Sequence, residues 1–252
     1  LVKASTGTPI TPADGTSEAD GTLVKNIAQG TQTAVFTGLS ANTTYNFSIW
    51  PYSNGGTSID YKTDGTVPTA NAKTDNASTA SDYFRSKTTG NWNATGTWES
   101  SADGSTGWIN ATLTPTSSAN TITILNGHTV TVSADVSADQ VVVNTGGKII
   151  VNNSRTLTIA DGADTYDMSV CGTIENSGTI TATGAVKFES GGYYKHTGNV
   201  GSMIKASWDA NSTCEITGLT TATSLTNFGG QDTAYGYLIW NCTGQTNWFS
   251  AT

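Results

Sequence analysis

The chain has 252 residues, 11 Lys and Arg against 19 Asp and Glu, and a net charge of −8, with only 12% charged residues, about half the usual share. No apolar run reaches the roughly 18 residues of a membrane span and no basic patch exists to hold a phosphate backbone, so neither a membrane span nor a nucleic-acid partner is expected. Thr (47), Ser (25), Asn (20) and Gly (28) make up nearly half of the chain while Leu appears only 9 times, a composition of strands and turns with enough apolar residues (36%) for a core.

Helical periodicity is absent, and every apolar segment is short, β-branched and closed by Gly, Asn, Asp or Ser, so the chain reads as all-β. Leu1-Val2-Lys3-Ala4 already reads as a strand, as expected of an excerpt from a longer protein. Asp14, Glu18 and Asp20 follow in a polar loop. The informative stretch is Phe36 to Ile49: Leu39 stands six residues before Tyr45, which opens a strand with Tyr45, Phe47 and Ile49 on one face. That spacing is the tyrosine-corner arrangement of Greek-key sandwiches, in which the phenol caps a neighbouring connection. Ser53-Asn54-Gly55-Gly56 then reads as a hairpin turn into a last strand through Ile59 and Tyr61.

This segment resembles a fibronectin type III domain of the kind common in secreted proteins of the Bacteroidota. That family begins with two further strands, the second bearing a core Trp, and no Trp precedes Trp50 here. The resemblance therefore covers the sandwich from about its third strand onward, which leaves an open edge and an uncovered core. Pro68-Thr69-Ala70-Asn71-Ala72-Lys73-Thr74-Asp75 is small and polar and reads as a linker. It divides a partial sandwich at 1–75 from a second domain at 76–252.

In the second domain, Trp92, Trp98 and Trp108 come first, and Trp98 and Trp108 could pair across the turn from Ser101 to Gly107 as a two-stranded flap. Strand-like runs then recur at steps of 8 to 12 residues, at Thr121-Ile122-Thr123-Ile124, Thr129-Val130-Thr131-Val132, Val141-Val142-Val143, Ile149-Ile150-Val151 and Leu157-Thr158-Ile159. Gly172-Thr173-Ile174, Gly178-Thr179-Ile180 and Gly184-Ala185-Val186 repeat at a step of six. Short strands that turn through Gly, Asn and Ser at such spacing predict a parallel β-solenoid that buries one apolar residue per side, with Ile174, Ile180 and Val186 inward. A step of six also fits a left-handed β-helix, but it lasts three units among irregular spacings, so a right-handed parallel β-helix is preferred, continuing beyond residue 252.

The opening from Phe84-Arg85-Ser86 to Asn91-Trp92-Asn93 and Trp98, and the line Ile124-Leu125-Asn126-Gly127-His128-Thr129-Val130, resemble the start of the β-helical repeat domain of large Bacteroidota surface proteins and, more loosely, the G8 domain. Cys171-Gly172-Thr173-Ile174-Glu175-Asn176, Tyr194-Lys195-His196, Ser212-Thr213-Cys214-Glu215-Ile216 and Trp240-Asn241-Cys242-Thr243-Gly244 are similar to that group as well. The resemblance implies secreted or cell-surface adhesins exported by the type IX system, with no enzymatic residue set. Low charge and abundant Thr, Ser and Asn also suit a secreted or cell-surface location.

The residues that could carry chemistry are few. His128 and His196 are the only histidines; neither belongs to a triad signature, and both read as polar strand or turn residues, His196 beside a potential aromatic strip at Tyr193 and Tyr194. Asp161, Asp164 and Asp167 could supply oxygens to Ca²⁺, although their spacing matches no calcium loop, so neither metal nor cofactor is expected. Trp92, Trp98 and Trp108 are candidate carbohydrate-stacking residues, with closure of the solenoid mouth as the other reading. Cys214 and Cys242, 28 residues apart, are candidates for a disulfide if they stack in neighbouring coils, and Cys171 stands apart. Asp232-Thr233-Ala234 resembles the O-glycosylation acceptor of Bacteroidota secreted proteins, with Thr233 as the modified residue. The expectation is a non-enzymatic spacer and adhesive platform whose partners are surface glycans, other cell-surface or matrix proteins and neighbouring domains of its own chain. The alternative is an accessory or carbohydrate-binding module of a secreted enzyme.

Overall fold

The computed structural model describes residues 1–199, 202–222, 224–225, 227, 235–247 and 250–251. Among them the chain is all-β, interrupted only by single 3₁₀ turns at Gly56–Ser58 and Thr95–Thr97. It divides into two compact units, Leu1–Ala77 and Ser78–Thr252.

The first unit is built on a four-stranded antiparallel sheet in the order Val24–Lys25, Val2–Ser5, Thr44–Ile49, Thr69–Lys73. Val2 lies opposite Ile49, Ala4 opposite Phe47 and Phe47 opposite Ala70, which places their side chains on one face. A small core of Leu1, Trp50, Ile59 and Tyr61 gathers Val24 and Val67. The expected hairpin exists but is two residues long on each side, Tyr52–Ser53 against Asp60–Tyr61, and it is not the last strand. The segment expected to be a linker is instead the strand Thr69–Lys73, every residue of it exposed, paired along Thr44–Ile49. Its small residues carry no apolar alternation, so its strand character comes from the partner and not from its own pattern.

The Tyr45 spacing has the anticipated geometry. Tyr45 is buried, and the Ser40 backbone N–H donates to its phenol oxygen at 3.1 Å, pinning the connection that precedes the strand. Tyr45→Phe leaves that N–H without its acceptor, and urea denaturation is expected to register a loss of about 1 kcal/mol.

The second unit is a parallel β-solenoid of about five turns. One face stacks Tyr83–Ser86, Thr121–Ile124, Val141–Val143, Met168–Val170, Val186–Phe188 and Ser207–Trp208. A second stacks Gly90–Asn91, Thr129–Val132, Lys148–Val151, Thr173–Asn176, Tyr193–His196, Thr213–Ile216 and Tyr237–Trp240. A third stacks Val136–Ala138, Thr156–Ile159 and Thr179–Ala182. Because strand side chains alternate, each four-residue strand such as Thr-Ile-Thr-Ile at 121–124 sends two residues inward and two outward. In-register pairing then stacks the inward residues into columns, for example Val130, Ile149, Ile174, Tyr194 and Cys214, all fully buried.

The step of six has a direct structural meaning. Ile174, Ile180 and Val186 lie on the second, third and first faces in succession, and all three are buried in one core. Each glycine ahead of these strands sits at a corner over carbonyl oxygens of the coil below. A Cβ on Gly172 would lie 2.3 Å from Gly147 O, one on Gly178 2.3 Å from Asn152 O, and one on Gly184 2.2 Å from Ala160 O. These are steric requirements for a missing side chain, since none of the three has a positive φ.

At the first coil, Trp98–Ser101 runs antiparallel to Tyr83–Ser86 and pairs in turn with Ile109–Asn110. This flap covers the edge of the first face. The anticipated two-stranded flap across the Ser101–Gly107 turn is present, but Trp98 and Trp108 are not partners in it, because the register sets Ile109 opposite Ser100 and Asn110 opposite Glu99.

Candidate functional site

The flap brings together half-buried aromatic and charged groups on the first face. Arg85 and Glu99 are register partners across the antiparallel pair, and the Arg85 Nε–H donates to Glu99 Oε1 at 2.6 Å. Trp108, two residues after the Ser101–Thr106 turn, is half-buried and lies under the Arg85 guanidinium, 3.9 Å from its ring centroid. That turn is held by Asp103, which accepts from the Ser105 and Thr106 amides at 2.8 Å each and from the Thr106 hydroxyl at 2.6 Å. The hydrogen bonds from the Thr106 side chain and backbone hold its carboxyl well below the usual range.

Trp92 and Trp98 leave the set of carbohydrate contacts. They are 1% and 0% exposed, stacked edge to face at 5.1 Å, and their indole N–H groups donate to Pro115 O at 3.0 Å and Trp92 O at 2.7 Å. With faces packed and donors satisfied, they fill the first coil and present nothing to a sugar. Of these three, Trp108 alone keeps an accessible indole. Its Arg85 and Glu99 companions were not legible beforehand, because their meeting depends on the register of the flap.

His128 is paired with a serine, but not as a base with a nucleophile. Its Nδ1 lies 2.9 Å from Ser86 Oγ and 3.0 Å from Ser86 O, while Ser86 Oγ accepts from the Leu125 amide at 2.9 Å. Ser86 is fully buried at the corner between two faces, so its hydroxyl serves as a turn brace out of reach of a substrate. His196, read as a solvated strand residue, is instead completely buried. Its Nδ1 is 3.2 Å from the Tyr194 phenol oxygen, which accepts from Asn176 Nδ2 at 3.1 Å, so a polar line runs between stacked coils inside the solenoid. A polar side chain in this position requires such partners, and the column supplies them.

The acidic run separates in space. Among the described residues no group of three or more His, Cys, Asp or Glu is placed to hold a metal ion. Asp161 and Asp164 are exposed, whereas Asp167 is 1% exposed and accepts from the Gly162 and Ala185 amides at 2.7 Å each, bracing the corners of its own and the next coil. The carboxyl that faces Asp167 is Asp139, one coil earlier. Both stand just ahead of first-face strands whose Val141 and Met168 are in register, which is why they meet.

Burial, and then the nearby Asp167, raise the Asp139 pKa. The folded state therefore holds this proton more tightly than the unfolded chain, so the pair costs stability as pH rises from the ordinary Asp value through the raised one. Asp139→Asn is expected to raise the thermal midpoint at pH 7, with the gain vanishing below about pH 4. Thermal melts across that range measure it.

The proposed disulfide is not formed. Cys171, Cys214 and Cys242 are all free thiols. The residue stacked on Cys214 is Leu238, and Cys242 lies beyond the strand end, its Sγ 3.4 Å from Ile216 O. The register thus keeps Cys242 out of the Cys214 column. Burial pushes the Cys214 thiol up to about 12, which suits a small apolar filler. Thr233 falls outside the described residues.

Comparisons of the chain with protein-family models, with curated proteins and with solved structures found no match.

Proposed function

We propose that this chain is a non-enzymatic spacer and contact platform of a secreted or cell-surface protein, with a fibronectin type III-like first unit and a right-handed β-helix as the second. The observation that carries this reading is the filled interior: among the described residues, columns of mainly Ile, Val, Leu and aromatic residues, with the hydrogen-bonded Asn176, Tyr194 and His196 between them, pack the inside of the coils, so the solenoid is filled and not a container. Its outward positions are regular. Ser137, Thr158 and Thr181 line up on the third face, and Lys148–Glu175 and Lys195–Glu215 pair along the second. Such rows offer many weak, repeated contacts, which suit multivalent attachment to surface glycans or matrix proteins. The tyrosine corner favours the fibronectin-like reading, and coil lengths that vary, as between Val141 to Met168 and Met168 to Val186, favour the right-handed form.

The alternative, an accessory carbohydrate-binding module of a secreted enzyme, draws on one observation, the accessible Trp108 beside Arg85 and Glu99. A glycan array read with immobilised chain distinguishes the two. Binding to a defined set of glycans that Trp108→Ala reduces by about tenfold, on the order of one base-stacking-sized aromatic contact, supports the module reading. Weak binding that appears only on dense surfaces and is indifferent to Trp108→Ala supports the platform. Turnover of a polysaccharide, ester or nucleic acid by the purified chain would refute both.

A further inference from the structure

The outward side of the first face carries one continuous column. Arg85, Thr123, Val142, Ser169 and Lys187 are register partners from strand to strand, and all five are half-buried between inward neighbours that are fully covered. Four inter-strand steps separate Arg85 from Lys187, a distance of about 19 Å along the stack.

The two ends of this column are built alike. At one end Trp108 lies 3.9 Å from the Arg85 guanidinium, which donates to Glu99 at 2.6 Å. At the other the Lys187 ammonium stands 5.2 Å from the centre of the Tyr166 ring and pairs with Glu189 Oε2 at 2.8 Å. Each end thus joins an aromatic ring, a cation and a carboxylate, with the Tyr166 side chain 37% exposed and Trp108 partly so. Between them the column holds only Thr123, Val142 and Ser169, so no large or charged side chain of the column rises between the two rings.

We infer that this column is a binding strip for a linear, uncharged oligosaccharide that lies along the stacking direction. The inference rests on the carbohydrate-binding alternative above and gives it a ligand class. A sugar ring offers its C–H face to an aromatic ring, and its rim of hydroxyls, each both donor and acceptor, to a neighbouring cation and carboxylate. Both ends of the column supply both kinds of contact. Each cation is already paired, so an acidic polymer would meet Glu99 and Glu189 as closely as Arg85 and Lys187, which selects against it. Two stacking positions about 19 Å apart lie beyond the reach of a disaccharide, whereas an extended chain engages both. Its second contact then forms at the high effective concentration set by the first.

Calorimetric titration of the whole chain with linear gluco-, xylo- and manno-oligosaccharides, as disaccharides and as hexasaccharides, tests this. In at least one series the hexasaccharide is expected to bind about tenfold or more tighter than the disaccharide. Trp108→Ala and Tyr166→Ala are each expected to lower hexasaccharide affinity by about tenfold, to the disaccharide level. Tyr166 is exposed and outside the buried core, so its removal leaves the fold intact, as far-UV circular dichroism checks. Equal affinities at both lengths overturn the strip and leave a single-site carbohydrate module. So does a hexasaccharide that senses Trp108→Ala but not Tyr166→Ala. A hexagalacturonate that binds tighter than every neutral hexasaccharide overturns the uncharged class. A chain that binds none of these sugars overturns the strip and the carbohydrate-binding alternative together.

Discussion

Ile174→Asp is expected to cost at least about 4 kcal/mol, enough to leave the second unit unfolded or nearly so at room temperature. Ile174 is fully buried on the second face, with Ile149 stacked on one side and Tyr194 on the other. A carboxylate there has apolar neighbours along the column and no cation among them, so it either stays ionised at a large desolvation cost or takes up a proton. The adjacent position is the control. Thr173 points outward in the same strand, level with Lys148, and Thr173→Asp is expected to stay within about 0.5 kcal/mol of wild type. Chemical denaturation followed by far-UV circular dichroism reads both. Equal losses at 173 and 174 would mean that the two-residue alternation has been assigned to the wrong faces.

Gly172→Ala is the second large effect, expected at about 2 to 3 kcal/mol for the addition of one methyl group. The methyl would lie 2.3 Å from Gly147 O and 2.4 Å from Asn144 O, both backbone atoms of the coil below, and so cannot be relieved by a rotamer change. Coils would have to separate locally, at a place where the Cys171 and Gly172 amides donate to Val143 O and the Thr173 amide to Gly147 O. Gly96→Ala provides the comparison, since nothing lies within 4 Å of its Cβ position and its φ is not positive; no loss beyond about 0.5 kcal/mol is expected there. Denaturation midpoints that rank the two variants the other way would contradict the corner geometry.

These two variants also mark what sequence alone makes visible. Period-two alternation is local, so Thr121-Ile122-Thr123-Ile124 declares its inward side without any partner, and the glycines at steps of six declare corners because a corner of stacked backbone excludes Cβ. Features that depend on which coil lies above which are not local. Thr69–Lys73 has no alternating apolar residues and becomes a strand through Thr44–Ile49. Trp92 and Trp98 look like surface aromatics until carbonyl partners for both indoles are known. Cys214 and Cys242 looked stackable at uniform coil length, but the loop from Ile216 to Tyr237 sets Leu238 over Cys214.

The same distinction applies to the candidate site. Trp108 was visible as an aromatic near a turn, while its stacking under Arg85 follows from the flap register. Asp139 gave no signal at all, because its partner Asp167 lies one coil on, in a turn whose length no repeat prescribes. His196 stood in a strand where alternation makes every second residue inward, and the inward set included it.

Parallel stacking of successive coils underlies both the proposed role and the stability predictions, and it is tested most directly by a distance across several coils. Thr131, Ile150, Glu175 and Lys195 occupy consecutive levels of one outward column. Nitroxide labels on Cys introduced at Thr131 and Lys195, in a background with the native cysteines replaced by Ala, therefore report three inter-strand steps. Attachment points about 14 Å apart, with strong dipolar broadening of the spectrum, are the expected result. Attachment points separated by more than about 25 Å, as distant strands of an antiparallel sandwich allow, would contradict the solenoid.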